Sequence, residues 1–435
     1  VQIVNTTVHE LLKGMDVTDQ RAIDQVLIDF DSTENKSKLG GNVITGTSIA
    51  VVRAAAAHLH KPLYQYFREI STASARQHQL PTPELKLPQP LILIMEGGKH
   101  GNWATDIQEF MIRPNTEAFP SFSEMLRAGS EIFHALGKIL ADKKYDTGVG
   151  FEGAYAPIQL HSNEEALDLI IEAISLAGYQ PEEEFTLALD VAASEFYEDG
   201  KYVLQSENNR TLSAGEWANQ LTSWIENYPL YSIEDPFNQE SWEDWSAFVA
   251  KNGGRCQIVG DDLVTTNTTR IQKAIELRSM NAVLIKINQI GTITETIAAV
   301  HLAAQHGMPS IISHRSGETE DTTIADLAVA TRAGCGRRLR AGLLQVGDDL
   351  GDLRFHLPAR HIHADDVLFL LVDDRVDGDG GLAGLAVADD QLALPAADGD
   401  HAVDGLDAGL QRLGHRLALG DARGDDVHLA GFGRG

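Results

Sequence analysis

Four apolar stretches of this sequence each end on charged side chains that could bind a metal ion or move a proton. They end at Asp190, at Glu234 and Asp235, at Asp261, and at Lys286. A short apolar run bounded by polar residues predicts a buried strand, and a charge at its end costs free energy unless it is paired or used. Charged groups at the exits of different strands are typical of one rim of a (β/α) barrel. Successive exits lie roughly 25 to 45 residues apart, enough for a strand and a crossover helix.

Composition narrows the classes of protein to which the chain can belong. A formal charge of −28 over 435 residues argues against nucleic-acid binding, which needs a basic face. No apolar segment is long enough to span a membrane, and no signal peptide precedes the first helical pattern. The two cysteines, Cys256 and Cys335, are too few for a disulfide framework, so we expect a reducing, cytoplasmic setting.

The composition changes sharply near residue 334. Residues 335–435 contain no Lys, Glu, Ser, Thr, Asn, Met, Trp or Tyr. Because a packed domain rarely lacks so many residue types at once, we interpret this tail as low-complexity or mistranslated sequence. The alternative is a real but unusual appended region. Its His361-x-His363-x-Asp365-Asp366 pattern could mimic a metal site, although coincidence explains it better in so biased a segment.

The hydrophobic pattern predicts helices in the N-terminal part of the chain and a barrel in the part that follows. We expect an amphipathic helix at residues 18–30, a loop at 31–42 and an Ala-rich helix at 43–59. Residues 79–87, which contain two prolines, are predicted to be a linker.

The part of the chain after the linker alternates between strand and helix patterns. Strands are predicted at residues 87–95, 107–112 and 185–190. Ser162 and Glu165 have the spacing of a capping box, which opens a helix that ends at Gly178. The alternation continues to about residue 333 and predicts a mostly parallel α/β barrel.

Several blocks in this order resemble the enolase family, and the resemblance covers residues 1–334. The blocks are Asp-Ser-Thr-Glu-Asn-Lys-Ser-Lys-Leu-Gly-Gly-Asn at 31–42, Ser-Ile-Glu-Asp-Pro-Phe at 232–237, Leu-Ile-Lys-Ile-Asn-Gln-Ile-Gly at 284–291 and Ser-His-Arg-Ser-Gly-Glu-Thr-Glu-Asp at 313–321. The resemblance implies an α/β fold: an enolase-type (β/α)8 barrel at 81–334, incomplete at its last strand. It also implies a truncated N-terminal α+β capping domain at 1–80, with the unrelated tail at 335–435.

The resemblance further implies phosphopyruvate hydratase activity, a carbon–oxygen lyase reaction of glycolysis. Enolases interconvert 2-phosphoglycerate with phosphoenolpyruvate and water. For this superfamily a lysine or histidine base acts together with one or two Mg²⁺ ions. Asp190, Glu234 and Asp261 match the family's metal ligands, and oxygen-only ligands suit Mg²⁺. Alone, each acid would more often be a solvated strand-end carboxylate.

Three residues match the groups that move protons in the family. Lys286 matches the general base, and we expect burial and nearby metal charge to lower its pKa. Glu152 matches the acid that protonates the departing hydroxyl. Glu109 matches its partner carboxylate, and a like-charged neighbour raises the pKa of a carboxyl group.

The remaining matches are to residues that contact substrate. His100 matches an active-site histidine, eight residues before Gln108 as in the family. Arg315 matches the group that binds the substrate phosphate, for which a guanidinium fork is suited. His314 and Ser316 belong to the same loop. Alone, His100 would more often have a structural role, and a His-Arg pair would usually be solvated on the surface.

Several departures from the family pattern weaken the functional prediction. Phe151 stands where the family has Asp, Glu96 replaces the usual Asn, and Gly101 replaces the usual Ala. The opening strands with their mobile serine loop are expected to be absent, and loss of such a lid should lower turnover. The lysine of the family's last strand is not found either. Arg337 stands at the position that corresponds to this lysine, but its neighbours in the sequence do not match the family, so it is given no role.

Three interpretations therefore stay open. They are an active enolase, another acid dehydratase of the enolase superfamily, and a catalytically impaired enolase remnant. A homodimer is expected from the family but is doubtful after truncation, and no nucleic-acid or membrane partner is expected. Unless residues 338–346 supply a strand, the open barrel should be unstable or prone to aggregate.

Overall fold

The computed structural model describes residues 1–77, 80, 85, 87–315 and 321–331, together with the backbone of strand Leu343–Val346. Within these ranges, no helix combines the length and apolar character that crossing a membrane would require. The predicted linker at 79–87 lies largely outside the described residues. Ser316, Cys335, Arg337 and the His361 pattern lie wholly outside them.

Residues 1–77 contribute helices. A π-helical turn, Val4–Val8, leads into α1 (His9–Leu12), α2 (Gln20–Asp31), α3 (Gly41–His58) and α4 (Leu63–Gln77). The two helices predicted at 18–30 and 43–59 correspond to α2 and α3, with shifts of up to two residues at their ends. Of the expected α+β capping domain, the described residues therefore show the helical portion.

The rest of the described chain forms the barrel and its helices. The strands are β1 (Gln89–Glu96), β2 (Glu109–Pro114), β3 (Phe185–Asp190), β4 (Tyr197–Glu198), β5 (Lys201–Leu204), β6 (Arg210–Leu212), β7 (Leu230–Glu234), β8 (Gln257–Gly260), β9 (Ala282–Ile285), β10 (Ser310–Ile312) and β11 (Leu343–Val346). The helices are α5 (Phe122–Asp142), α6 (Asn163–Leu176), α7 (Ala214–Asn227), α8 (Trp242–Asn252), α9 (Thr268–Leu277), α10 (Ile287–Ile290), α11 (Ile293–Gln305) and α12 (Thr323–Ala330).

Eight of the strands close into a barrel in the order β1-β11-β10-β9-β8-β7-β3-β2. β2 runs antiparallel to both of its neighbours, and the other pairs are parallel. The mostly parallel barrel predicted from the alternating pattern is thus confirmed. β4, β5 and β6 form a separate three-stranded antiparallel sheet.

The prediction of a barrel that is incomplete at its last strand is wrong. Leu343 pairs with Gln89 of β1 and Ile311 of β10, so β11 fills the last position. The physical reason is that parallel pairing uses backbone groups, so a short extended segment can close the ladder without the family's side chains. Because residues 338–346 do supply a strand, the instability expected of an open barrel does not apply.

Hydrogen-bonding side chains fix where several barrel helices begin. Ser121, Ser162 and Asn267 each accept a hydrogen bond from a backbone amide in the first turn of α5, α6 and α9. The capping box predicted at Ser162 is half formed, because Glu165 accepts from the amide of His161 instead of that of Ser162. Such caps are each worth about 1 kcal/mol, and those at Ser162 and Asn267 end the loops that carry Glu152 and Asp261.

The N-terminal helices are joined to the barrel through a buried polar cluster. Asp24 of α2 accepts from Ser48 Oγ at 2.7 Å and from the amide and hydroxyl of Thr294, which lies on α11, at 3.0 and 2.6 Å. Lys36 adds an ion pair with Glu295 at 3.0 Å. These contacts fix the helices against α11, which follows the Lys286 strand end.

Trp217 on α7 offers a test of the barrel's outer core. Its ring is fully buried, lies edge-on to Phe196 and Trp224, and donates to the carbonyl of Pro236 at 2.8 Å. We expect Trp217→Ala to lower the free energy of unfolding by about 3–5 kcal/mol, measured by urea denaturation. Trp217→Phe should cost less because most of the packed volume remains. Equal losses in the two variants would contradict this account of the core.

Candidate active site

A cavity of about 210 Å³ contains most of the residues that the sequence singles out. Its lining includes His100, Gln108, Glu109, Glu152, Asp190, Asp261, Lys286, His314 and Arg315. Three of the strand-end charges point to its location. Asp190 ends β3, while Asp261 and Lys286 each follow the last residue of their strands, so the cavity lies at the carboxyl ends of the parallel strands. This is the face of a (β/α) barrel at which active sites occur.

The strand-end acids form two overlapping clusters, each with its ligand atoms within 4.8 Å of one another. One contains Asp190, Glu234 and Asp235, and the other contains Asp235, Asp261 and Asp262. The three predicted metal ligands are therefore brought together, although they are divided between clusters that share Asp235. All three are buried.

Asp235 is a site residue that the sequence analysis noted as a strand-end charge but did not assign as a metal ligand. Its backbone has φ +41°, in the left-handed region. Its Oδ1 accepts from the amide of Asp261 at 3.1 Å, and its Oδ2 accepts from the amide of Asp262 at 2.7 Å. Both oxygens thus hold the turn that presents Asp261. The only sequence signal was a second acid directly after Glu234.

Asp235→Asn should weaken metal binding without unfolding the protein. The asparagine side chain has one NH₂ group in place of an acceptor oxygen, and this group would face one of the two backbone N–H groups that Asp235 now binds. One hydrogen bond to the Asp261 turn would be lost, and the turn could move. Partners that orient a metal ligand typically contribute 10- to 100-fold in affinity, so we expect a loss of about that size. Calorimetric titration with Mg²⁺ measures the affinity, and Asp142→Asn on the exposed end of α5 is the matched control. Unchanged affinity in Asp235→Asn would contradict the positioning role.

Lys286 forms the closest contact between a cation and the acidic clusters. Its Nζ donates to Asp261 Oδ2 at 2.7 Å, and Gln289 Nε2 donates to Asp261 Oδ1 at 2.6 Å. Burial acts to lower the pKa of Lys286, but the charges of Asp261 and Glu234 outweigh it and raise that pKa above its usual value. Without a metal ion the surrounding carboxylates therefore stabilise the ammonium form, and the expected lowering, which needs the charge of a nearby metal ion, stays a prediction.

A second group of titratable residues faces the same cavity. His100 Nδ1 lies 3.4 Å from Glu152 Oε1 and 3.8 Å from Glu109 Oε1, and His314 Nε2 lies 3.4 Å from Glu152 Oε2. Burial and the neighbouring Glu152 raise the pKa of Glu109 well above its usual value. Burial and Lys286 lower the pKa of both histidines to about 4. The cavity therefore contains two neutral imidazoles beside a pair of carboxyl groups that can carry a proton.

Glu96, at the end of β1, holds the loop that carries Glu152. Its carboxylate accepts from the amides of Glu152 at 3.2 Å and Ala154 at 3.1 Å, and it is completely buried. The loop approaches so closely that a Cβ on Gly150 would lie 2.5 Å from the Glu96 carboxyl carbon. A Cβ on Gly101 would likewise lie 2.4 Å from the Glu96 carbonyl oxygen. The departures at 96 and 101 therefore occur at one tightly packed place.

Two glutamines orient acids from either side of the cavity. Gln108 Nε2 donates to Asp190 Oδ2 at 3.0 Å, and Gln289 donates to Asp261. Gln289 is itself held by Thr266 Oγ1 at 2.8 Å. Gln289 was missed as a site residue, although it stands within the block at 284–291 that carries the resemblance.

The donor set of the clusters fits a metal ion. Burial raises the pKa values of Asp190, to about 7, and of Glu234 and Asp235, and neighbouring carboxylates act in the same direction. Several acids buried together, with one lysine hydrogen-bonded to them among the described residues, need further positive charge to ionise. Oxygen ligands of this kind suit a hard divalent cation. Asp190, Glu234 and Asp261 are the residues that could hold it.

Two protein-family models match this chain. The enolase N-terminal domain matches residues 1–67, and the enolase C-terminal TIM barrel domain matches residues 84–348. The chain belongs to the enolase family. The chain therefore belongs to a superfamily of lyases and hydratases.

The enolase match extends beyond residue 334, where the composition changes, and includes β11. Phe151, which stands where the family pattern has an acid before Glu152, is 68% exposed, and its ring centroid lies 6.4 Å from that of His100. Its side chain therefore adds apolar surface beside the cavity where the family pattern has a charge.

Proposed function

We propose that this chain is a phosphopyruvate hydratase, which converts 2-phosphoglycerate reversibly into phosphoenolpyruvate and water with Mg²⁺ as cofactor. The observation that carries the proposal is the meeting of Lys286 and the Glu109–Glu152 carboxyl pair in one cavity beside the acidic clusters. Dehydration of a hydroxy acid needs a base and an acid at one substrate. The two groups supply those functions.

Lys286 is proposed to accept the proton from the carbon beside the substrate carboxylate. It must be neutral to do so, while its contact with Asp261 favours the charged form. Mg²⁺ held by Asp190, Glu234 and Asp261 would neutralise those acids and the negative charge that develops on the substrate carboxylate. Gln289 keeps Asp261 in place while Lys286 moves between partners.

Glu152 is proposed to protonate the departing hydroxyl, which leaves as water. The raised pKa of Glu109 favours a proton within the carboxyl pair. The neutral His100 lies 3.4 Å from Glu152 and 3.8 Å from Glu109, and it does not compete for that proton because its own pKa is lowered to about 4. Glu96 fixes the Glu152 loop, so the acid keeps its position as the proton leaves.

Arg315, with His314 and Ser316, is proposed to bind the substrate phosphate. Arg315 and His314 line the cavity, and a guanidinium is suited to a phosphate oxygen pair. We propose that the protein acts in glycolysis and that it does so in the cytoplasm. A homodimer is proposed from the family, with 2-phosphoglycerate and phosphoenolpyruvate as its small-molecule partners.

The deciding experiment is the growth of phosphoenolpyruvate absorbance when 2-phosphoglycerate and Mg²⁺ are added to the purified full chain. Turnover above that of Lys286→Ala would support the proposal. A rate equal to that of Lys286→Ala, with intact folding by circular dichroism, would overturn it in favour of an enolase remnant. Turnover of an acid sugar in place of 2-phosphoglycerate would favour another dehydratase of the superfamily.

A further inference from the structure

An ion pair joins two loops at the rim of the cavity. Lys99, in the turn after β1, lies in contact with Glu195, in the 3-10 turn Ala193–Phe196 that follows β3. Both residues line the cavity. The Lys99 side chain is 61% exposed and that of Glu195 is 31% exposed, whereas Glu152 within the cavity is nearly inaccessible. The pair therefore lies at the solvent end.

The lining of this cavity carries more acidic than basic groups, so a cation at its rim affects how an anion approaches. Among its described lining residues, seven are carboxylic acids and three carry the permanent cationic groups of lysine or arginine. One of these three, Lys286, is hydrogen-bonded to Asp261. The whole chain carries a formal charge of −28. A phosphorylated carboxylic acid approaching this opening is repelled unless local cations reverse the field.

The contact between Lys99 and Glu195 is suited to exchange. Ion pairs between exposed side chains are weak, since water and salt screen them. A lysine ammonium on a flexible stem can turn from one oxygen to another. A small anion that carries more than one negative charge can therefore compete with the single Glu195 carboxylate.

We propose that Lys99 recruits the anionic substrate and that Glu195 holds its ammonium group at the rim until substrate arrives. The ligand class is a small organic anion with a phosphate or carboxylate group. The inference rests on the proposed function for the identity of that anion. It differs from a static brace, in which the ion pair would only fasten two loops together.

The test compares Lys99→Met, Glu195→Gln and the double variant with the unaltered chain. We expect Lys99→Met to raise KM about tenfold with little change in kcat, because a rim charge acts mainly on encounter. Glu195→Gln should lower KM several-fold, since the ammonium group is released toward substrate. In the double variant the Glu195→Gln effect should disappear. The dependence of kcat/KM on salt should also be shallower in Lys99→Met.

Arg255→Met and Glu226→Gln are matched controls, because this pair is 3.2 Å apart with both side chains 54% exposed. They should leave KM unchanged. Additive effects of the two rim substitutions, or an unchanged KM in Lys99→Met, would overturn the proposal. So would equal losses of kcat and thermal stability in both single variants, which a brace predicts.

Calorimetric binding of phosphoenolpyruvate to the same proteins separates this inference from the proposed function. The dissociation constants should follow the KM pattern even if turnover is absent. Absent turnover with the expected binding pattern would reject only the proposed function. Normal turnover with identical affinities in all variants would reject only the role of Lys99.

Discussion

Lys286→Arg is expected to lower kcat by roughly 10²- to 10⁴-fold, the range that general acid–base catalysis usually contributes. Arginine keeps a positive charge beside Asp261, and at this position it can preserve the ion pair seen at 2.7 Å. It cannot accept a proton, because its guanidinium stays charged at any working pH. The substitution thus removes the base while it retains the electrostatic contact.

Lys286→Ala should lose a similar factor in kcat but should also alter the acidic clusters, since it removes the cation nearest to Asp261. Comparing the two variants separates proton transfer from charge balance. Steady-state assays with 2-phosphoglycerate and thermal melts of each protein provide the measurements, with the exposed Lys251→Ala as control. Activity retained by Lys286→Arg would contradict the assignment of the base.

Removal of divalent cations is expected to abolish turnover, and added Mg²⁺ should restore it. Glu234→Gln should weaken Mg²⁺ binding by more than about 100-fold, because even residues that merely orient ligands contribute 10- to 100-fold. A ligand present at 100 times its dissociation constant stabilises a folded protein by about 2.7 kcal/mol. Mg²⁺ should therefore raise the melting temperature of the unaltered chain and affect Glu234→Gln much less.

The stability of the metal-free protein should depend on pH through the same acids. Burial, and the charge of Asp261, raise the pKa of Asp190 to about 7 from a usual 3.8, against the opposing effect of Lys286. The folded state then binds more protons than the unfolded state between these values. The contribution of Asp190 to stability consequently falls as pH rises from about 4 to about 7, while His100 and His314, whose pKa values are lowered, act in the opposite direction. Mg²⁺ should reverse this loss at pH 7 in melts followed by circular dichroism. The measurement is the difference in metal-free melting temperature between Asp190→Asn and the unaltered chain, and a difference that does not grow in favour of Asp190→Asn from about pH 4 to about pH 7 would contradict it.

Local patterns predicted the elements well where the physical cause was local. Phe185–Asp190 was predicted with its observed bounds, and α2 and α3 differ from prediction by one or two residues at their ends. Hydrophobic runs and helix caps act over a few residues, so they can be recognised in a linear sequence. The four strand-end charges follow from the same logic, because each completes a buried strand.

Contacts between distant segments could not be predicted in this way. Asp235 binds backbone amides 26 and 27 residues later in the chain. Glu96 holds amides of the Glu152 loop 56 and 58 residues away. Neither partner choice leaves a periodic trace in the sequence, since it depends on which strand ends become neighbours when the barrel closes.

The sequence by itself determined the helix and strand pattern, the strand-end acids and lysine, and the resemblance to the enolase family. Tertiary structure alone decided that β11 closes the barrel and that Lys99 meets Glu195 at the rim. It also decided that the pKa of Lys286 is raised. The physical reason is that backbone pairing, desolvation and Coulomb interactions depend on distances in space between groups that are far apart along the chain.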